Sequence, residues 1–356
     1  MYKIVCLLFV LLLLNLPAKA DVIGKVYDTL QADYINNISN RNITFKGLKA
    51  LNKTDAGFAL KATDETLYLY YNQQRKGVFA LPPADAAAAQ WADLSRKIIN
   101  MAIKLSPDVE LYDYEMPDRF AQEVFAGLDG YSHYFGGFDD EKQLAVKRNF
   151  AVRKVGNNIL LIKIVSFQNG VSDEVAKALA DCDNCQGLIL DLRGNHGGVL
   201  NEALKIADML LDEGIVTYTA AENGQNPQYY TATAGDVWHN KPAVVLVDGF
   251  TASAAEVLAA ALSEQNRAVL IGTQTYGKGT VQNVVKMGEG RAMALTKSYF
   301  FTPSGGQINE VGLNPAVCTG GLKRALSLND ATCQKEDRFN QESDVIIAAD
   351  YIKNEM

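Results

Sequence analysis

The hydrophobic pattern begins with residues 4–16, an almost unbroken apolar run behind a basic start, Met1-Tyr2-Lys3. From 23 to 39 apolar positions recur at helical spacing until Asn and Ser break the rhythm. Residues 58–81 alternate in the manner of strands, clearest in Thr66-Leu67-Tyr68-Leu69-Tyr70-Tyr71, and predict a small hairpin. Pro82-Pro83 then opens a helical stretch over 84–104, and a further helix is expected over 117–128. Residues 21–150 therefore read as a mainly helical N-terminal region with a small β element.

From 151 the pattern becomes α/β. Residues 158–165 read as a strand, and the largely apolar runs at 187–192, 243–247 and 268–271 as strands of the type buried on both faces. Helical patterns over 171–180, from the glycine-rich turn to 211, and over 253–263 separate them. Strands alternating with helices predict a largely parallel sheet with right-handed crossovers over residues 151–317. Residues 318–356 are left as a C-terminal tail. Residues 281–285 and 292–301 read as strands.

The apolar run at the start fixes the compartment. Small residues at the cleavage-defining positions of Pro17-Ala18-Lys19-Ala20 complete a secretory signal peptide, residues 1–20, with cleavage after Ala20. A spanning helix would need about 20 apolar residues, so no stable membrane anchor is expected after cleavage. Periplasmic or secreted export follows. The net charge of −7 becomes more negative once Lys3 and Lys19 leave, and there is no basic block. Nucleic acid is excluded as the main partner on that ground. The sequons headed by Asn37, Asn42 and Asn52 matter only in a eukaryotic secretory route.

Four cysteines remain after cleavage, an even number that suits disulfides in an oxidising compartment. Cys318 with Cys333 would staple the tail. Cys182-Asp183-Asn184-Cys185 follows a helix and precedes a strand, the reverse of a redox motif, which favours a structural bridge. The only histidines, His133, His196 and His239, are scattered, so neither metal nor cofactor is expected.

Loops that follow parallel strands emerge at one edge of the sheet, where ligands bind. Three such loops hold unusual chemistry here: the glycine-rich turn 194–198, the turn placing Ser253 at a helix start, and Thr275-Tyr276-Gly277-Lys278-Gly279-Thr280. A nucleophile, an amine base and exposed backbone N–H donors are what acyl transfer needs. Ser253 is the candidate nucleophile and Lys278 the general base, provided its amine is neutral in use. Gln282 can hold that amine by a neutral hydrogen bond. Gly197, Gly198 and Ala254 are the candidate oxyanion donors, and His196, Thr251 and Tyr276 the candidate substrate contacts. Each feature alone has a plain reading: a helix cap, a solvated lysine in a turn, a tight connection.

Two rival chemistries are weaker. A histidine-based triad has only His196 as its base, and its position in the glycine turn suits substrate contact better. Gly272 to Lys278 fits G-x-x-x-x-G-K, but Gly279 stands where a phosphate loop places Ser or Thr, and strand rather than helix follows.

These segments together resemble the C-terminal processing (tail-specific) peptidases of the S41 type. The resemblance rests on Leu160 to Phe167, Leu190 to Gly198, Thr251 to Glu256, Thr275 to Gln282, Thr302-Pro303-Ser304-Gly305 and Val311-Gly312-Leu313-Asn314-Pro315, in the family's order. It implies a ClpP/crotonase-like α/β core and a serine–lysine dyad with a supporting glutamine at Ser253, Lys278 and Gln282. The substrate would be a polypeptide, cleaved as an endopeptidase or C-terminal processing peptidase through an acyl-enzyme, with the oligomeric state left open. Two departures stand out. His196 replaces the family's usual proline. Only residues 136–157 lie where such enzymes commonly carry a PDZ domain, too few for any domain. The alternative is a non-catalytic binding protein on the same fold, holding an apolar ligand or a protein partner.

Overall fold

The computed structural model describes residues 21–136, 149–156, 158–221, 223–233, 235–323, 332–339 and 341–355. The leader expected over 1–20 lies outside them. The chain divides into two compact units, Met1–Asp140 with Val284–Ala294, and Glu141–Asn283 with Leu295–Met356.

The first unit runs α1 (Val22–Asp33), α2 (Asn40–Gly47), α3 (Lys49–Thr54), β1 (Phe58–Ala62), β2 (Thr66–Tyr71), β3 (Gln74–Ala80), α4 (Ala88–Leu105), α5 (Pro107–Leu111), α6 (Met116–Phe125) and β4 (His133–Phe135). The expected hairpin is a three-stranded antiparallel sheet, β1-β2-β3. Helix α4 starts four residues later than expected. Residues 83–86 instead form a turn closed by the Ala86 N–H on the Pro83 carbonyl at 3.0 Å, and the helix begins at Ala88, a turn before the buried Trp91 and Ala92. The buried Tyr27 hydroxyl is satisfied by Thr44 at 2.6 Å and Ser95 at 2.9 Å, tying α1 to α2 and α4.

The second unit runs β5 (Phe150–Val155), β6 (Ile159–Ile164), α7 (Val171–Ala180), β7 (Gly187–Asp191), α8 (Leu200–Leu210), β8 (Ile215–Ala220), β9 (Gln228–Thr231), β10 (Ala243–Val247), α9 (Ala254–Glu264), β11 (Val269–Gly272), β12 (Thr280–Gly288), β13 (Arg291–Phe301), β14 (Val317–Cys318), β15 (Leu322–Lys323), β16 (Thr332–Cys333) and α10 (Glu342–Glu355). The tip of the β12–β13 hairpin belongs to the first unit. Six strands form the main sheet in the order β14-β11-β10-β7-β6-β5. All neighbours in it are parallel except the edge pair β5–β6. Every residue of β7 is buried, as the apolar run 187–190 predicts, and the buried set includes Asp191.

One face of this sheet packs Leu160, Ile162, Leu188, Leu190 and Val245 against α7, α8 and α9. The other face, Ile159, Leu161, Ile189, Val244, Leu246 and Ile271, is covered by Val345, Ala348, Ala349 and Ile352 of α10. The segment expected to be a tail is thus a layer of the core. Its pattern is weak because α10 buries a narrow stripe and leaves Ile346 and Ile347 exposed. A second sheet, β12-β13-β8-β9 with β4 on β13, was legible only in part. Cys182–Cys185 and Cys318–Cys333 are both bonded, with Cα atoms 5.4 Å and 5.7 Å apart.

Among the described residues no helix is long and apolar enough to cross a membrane, and no group of His, Cys, Asp and Glu could hold a metal.

Candidate active site

The loops after β7, β10 and β11 leave the same edge of the sheet, because these three strands are parallel neighbours. Hydrogen bonds join them. The buried Asp248 carboxylate closes the turn after β10 by accepting from the Phe250 N–H at 3.0 Å and the Thr251 N–H at 3.1 Å. It also accepts the Gly194 N–H of the neighbouring loop at 2.9 Å. Asn195 is wholly buried. Its amide donates to the Ile164 carbonyl at 3.0 Å, its Oδ1 accepts from the Gly197 N–H at 2.8 Å, and its carbonyl accepts from the Ala252 N–H at 2.9 Å. This one residue therefore fastens β6 and the glycine turn with its side chain and the approach to Ser253 with its carbonyl.

Ser253 stands at φ 57°, ψ −122°, a conformation that non-glycine residues rarely adopt, immediately before α9. Such a residue is lifted out of the strand-to-helix turn, half-buried rather than enclosed. The strain is held by Glu256 at the third helical position. Its wholly buried Oε2 accepts the Ser253 N–H at 2.9 Å and the Lys278 N–H, also at 2.9 Å. Its Oε1 accepts the Thr275 hydroxyl at 2.5 Å and the Gly277 N–H at 2.7 Å. The backbones of Ser253 and Lys278, separated by a helix and a strand in sequence, thus rest on a single carboxylate oxygen. Burial pushes the Glu256 carboxyl above the ordinary range, and the four donors work against that shift without cancelling it. Thr275 passes the order outward by accepting the Leu313 N–H at 2.7 Å.

The glycine turn meets Ser253 directly. A Cβ on Gly197 would lie 2.8 Å from Ser253 Cβ and 3.1 Å from the Ala254 nitrogen, and Gly197 has φ +95°. A Cβ on Gly198 would fall 2.2 Å from the Phe167 carbonyl oxygen, at φ +138°. Only glycine allows both approaches.

The residues singled out from sequence divide as follows. Ser253, Lys278, Ala254, Gly197 and Gly198 come together. Gln282, on β12, lies four residues beyond Lys278 and is half-buried like it. Gly197 is corrected as an oxyanion donor, since its N–H is already given to Asn195, which leaves Gly198 and Ala254. Thr251 is corrected as a substrate contact. It is fully buried and donates its hydroxyl to the Leu192 carbonyl at 3.0 Å. His196 is exposed, its ring edge-on to Phe250 with centroids 5.7 Å apart. Tyr276 is exposed beside Lys278.

Asn195, Asp248, Glu256 and Thr275 were missed. Only Glu256 left a local signal, the Ser-x-x-Glu spacing of a capping box.

Behind the rim lies a buried ion cluster. Arg193 pairs with Asp191 at 2.7 Å and with Asp344 of α10 at 3.4 Å, while Lys163 reaches Asp191 at 3.1 Å. Burial works to raise the Asp191 pKa, but Arg193 and Lys163 more than offset it and leave the carboxyl below its ordinary range.

Residues 158–318 match the model of peptidase family S41, a span that holds the whole rim. The carboxy-terminal-processing protease of Bartonella bacilliformis is 34% identical over 170 residues, covering 46% of this chain and 39% of that protein. The carboxyl-terminal-processing protease of Synechocystis is 36% identical over 162 residues, covering 45% of this chain and 38% of that one. The match therefore spans well under half of these relatives' length. Among solved structures, a lipoprotein from Streptococcus agalactiae superposes at TM-score 0.53 with 17% identity, covering 91% of this chain and 99% of that one, a likeness of fold alone. The photosystem II D1 C-terminal processing protease is 33% identical over 45% of this chain and 42% of that one, at TM-score 0.42.

Proposed function

We propose that the peptidase family S41 region of this chain, residues 158–318, works as a serine peptidase with Ser253 as nucleophile and Lys278 as general base. The observation that supports this reading best is the shared Glu256 oxygen, which holds both residues' backbones at one point of the rim. Ser253 Oγ attacks the carbonyl carbon of a peptide bond as the neutral Lys278 amine takes its proton. The Gly198 and Ala254 amides stabilise the oxyanion, helped by the positive end of α9. Collapse of the tetrahedral intermediate passes the proton from lysine to the leaving amine. Water then hydrolyses the acyl-enzyme by the same route. Gln282 holds the Lys278 amine without adding charge.

The substrate is an exported polypeptide, reached after removal of the leader at Ala20. His196 and Tyr276, exposed beside the site, supply contacts to it. The mature protein is expected to cleave casein and to lose that activity in Ser253→Ala and Lys278→Ala. Cleavage that survives in Ser253→Ala would sink the reading. A bound lipid, together with no labelling of Ser253 by a serine-directed phosphonate, would favour the binding-protein alternative.

A further inference from the structure

The second unit holds a segment that the dyad chemistry does not use and that nonetheless touches all three rim loops. Residues 333–339 leave Cys333, whose disulfide to Cys318 fixes them to β14, the strand paired with β11. The contacts then follow residue by residue. Lys335 Nζ donates to the Tyr276 carbonyl at 2.7 Å, two residues before Lys278. The Glu336 carbonyl accepts from the Gly249 N–H at 2.7 Å and the Thr273 hydroxyl at 3.1 Å, joining the loop that precedes Ser253 to the loop that precedes Lys278. A Cβ on Gly249 would lie 2.9 Å from the Glu336 nitrogen, so the two backbones are in direct contact. The Arg338 N–H donates to Asp248 Oδ2 at 3.1 Å, on the same carboxylate that closes the Ser253 turn.

Phe339 lies against Gly194 in the glycine turn, with Lys163 over its ring at 4.4 Å. Buried Arg193 donates to the Arg338 carbonyl at 3.0 Å and the Gln341 carbonyl at 2.6 Å, while Arg338 pairs with Asp344 of α10 at 2.7 Å. The segment is therefore tied at one end by a covalent bond and at the other by an ion cluster against the sheet. Between the ties its backbone and Lys335 bond to the loops that carry Gly198, Ser253 and Lys278.

We propose that residues 333–339 are a positioning strap for catalysis, and that the Cys318–Cys333 bond keeps the strap taut. The claim rests on the peptidase reading given above. Small displacements matter in such a site, since a misplacement of about 1 Å can cost about 100-fold in rate. The strap bonds to loop backbones and to the Asp248 turn, leaving the dyad side chains to substrate. Its loss should therefore lower kcat more than it raises KM.

The test uses the full mature protein with casein. Four samples are compared: wild type, Cys318→Ser/Cys333→Ser, Lys335→Ala and Lys335→Arg. Dithiothreitol is the reductant; each equivalent is oxidised to a cyclic disulfide and delivers two electrons and two protons to the bond. The double serine variant should show kcat down by about tenfold with KM within about twofold. Dithiothreitol should bring wild type to the same level and leave the double variant unchanged, which separates this bond from Cys182–Cys185. Lys335→Ala, a change at an exposed position, should lower kcat by a few-fold with the melting temperature unmoved, and Lys335→Arg should recover most of it. Hydrogen exchange should quicken in peptides covering 194–199, 248–253 and 273–278 of the double variant. Unchanged exchange in those peptides, or unchanged kcat with exchange quickened, would overturn the proposal. So would a kcat loss in Lys335→Ala that Lys335→Arg does not restore. Wild type with no Ser253-dependent cleavage overturns the peptidase reading and the catalytic part of the claim with it. Exchange then decides alone whether the strap holds the loops.

Discussion

Replacing Glu256 by Gln preserves the side chain's shape and should still disable the site. The carboxylate accepts two donors on each oxygen: Ser253 and Lys278 N–H on one, Thr275 hydroxyl and Gly277 N–H on the other. An amide offers one oxygen. If that oxygen faces Ser253 and Lys278, the Thr275 hydroxyl can turn to accept from the amide, but the Gly277 N–H is left against another donor. In the opposite orientation both Ser253 and Lys278 lose their acceptor. A buried donor left unpaired costs about 1–3 kcal/mol, so the better orientation loses roughly that much. Part of the loss is returned, because burial already disfavours the Glu256 anion and Gln carries no charge. A net destabilisation of about 1–2 kcal/mol leaves the protein folded, given a typical stability of about 5–15 kcal/mol. The geometry has no such compensation, since the donor set adrift is the residue next to Lys278. Urea unfolding paired with kcat and KM on casein reads both quantities. We expect a small shift in midpoint and a fall in kcat of about 100-fold. A Glu256→Gln protein with wild-type kcat would refute the argument that this carboxylate sets the dyad's geometry.

Thr275→Val removes the hydroxyl that donates to Glu256 and accepts from Leu313, and should cost about 1–3 kcal/mol in urea unfolding, with Thr275→Ser recovering most of it. Gly198→Ala drives a methyl into the Phe167 carbonyl and should abolish casein cleavage even at temperatures where circular dichroism still reports a folded protein. The Asp191 carboxyl is held below its ordinary value of 3.8, so its contribution is full above that pH and is lost as pH falls through the lower folded value. Urea midpoints should therefore drop steeply below about pH 4, and Asp191→Asn should flatten that drop while lowering the midpoint at pH 7. Truncation before α10 uncovers the apolar face of Ile159, Leu161, Ile189, Val244 and Leu246, and the product should be insoluble or bind a hydrophobic dye strongly.

Much of this protein is written locally. Runs such as 187–190 and 243–247 are apolar at every position because both faces of their strands are covered, and strands of that kind separated by helices predict a parallel α/β sheet. Parallel topology then sends the loops with the glycine turn, Ser253 and Lys278 to one edge before any coordinate is known. What the sequence could not decide are relations between residues far apart in it. Whether the Gly197 amide faces substrate or is spent internally depended on the side chain of Asn195. Whether Thr251 faces substrate or core depended on the Leu192 carbonyl. Residues 318–356 carry no periodicity strong enough to announce a core layer. Yet α10 packs on one face of the sheet, and the strap before it bonds to all three rim loops. Hydrophobic period reports which face of an element is buried, whereas a polar group's partner is set by three-dimensional neighbours. The placement of the Ser253 and Lys278 loops at one edge was therefore legible, and the Glu256 carboxylate that joins their two backbones was decided only by the tertiary structure.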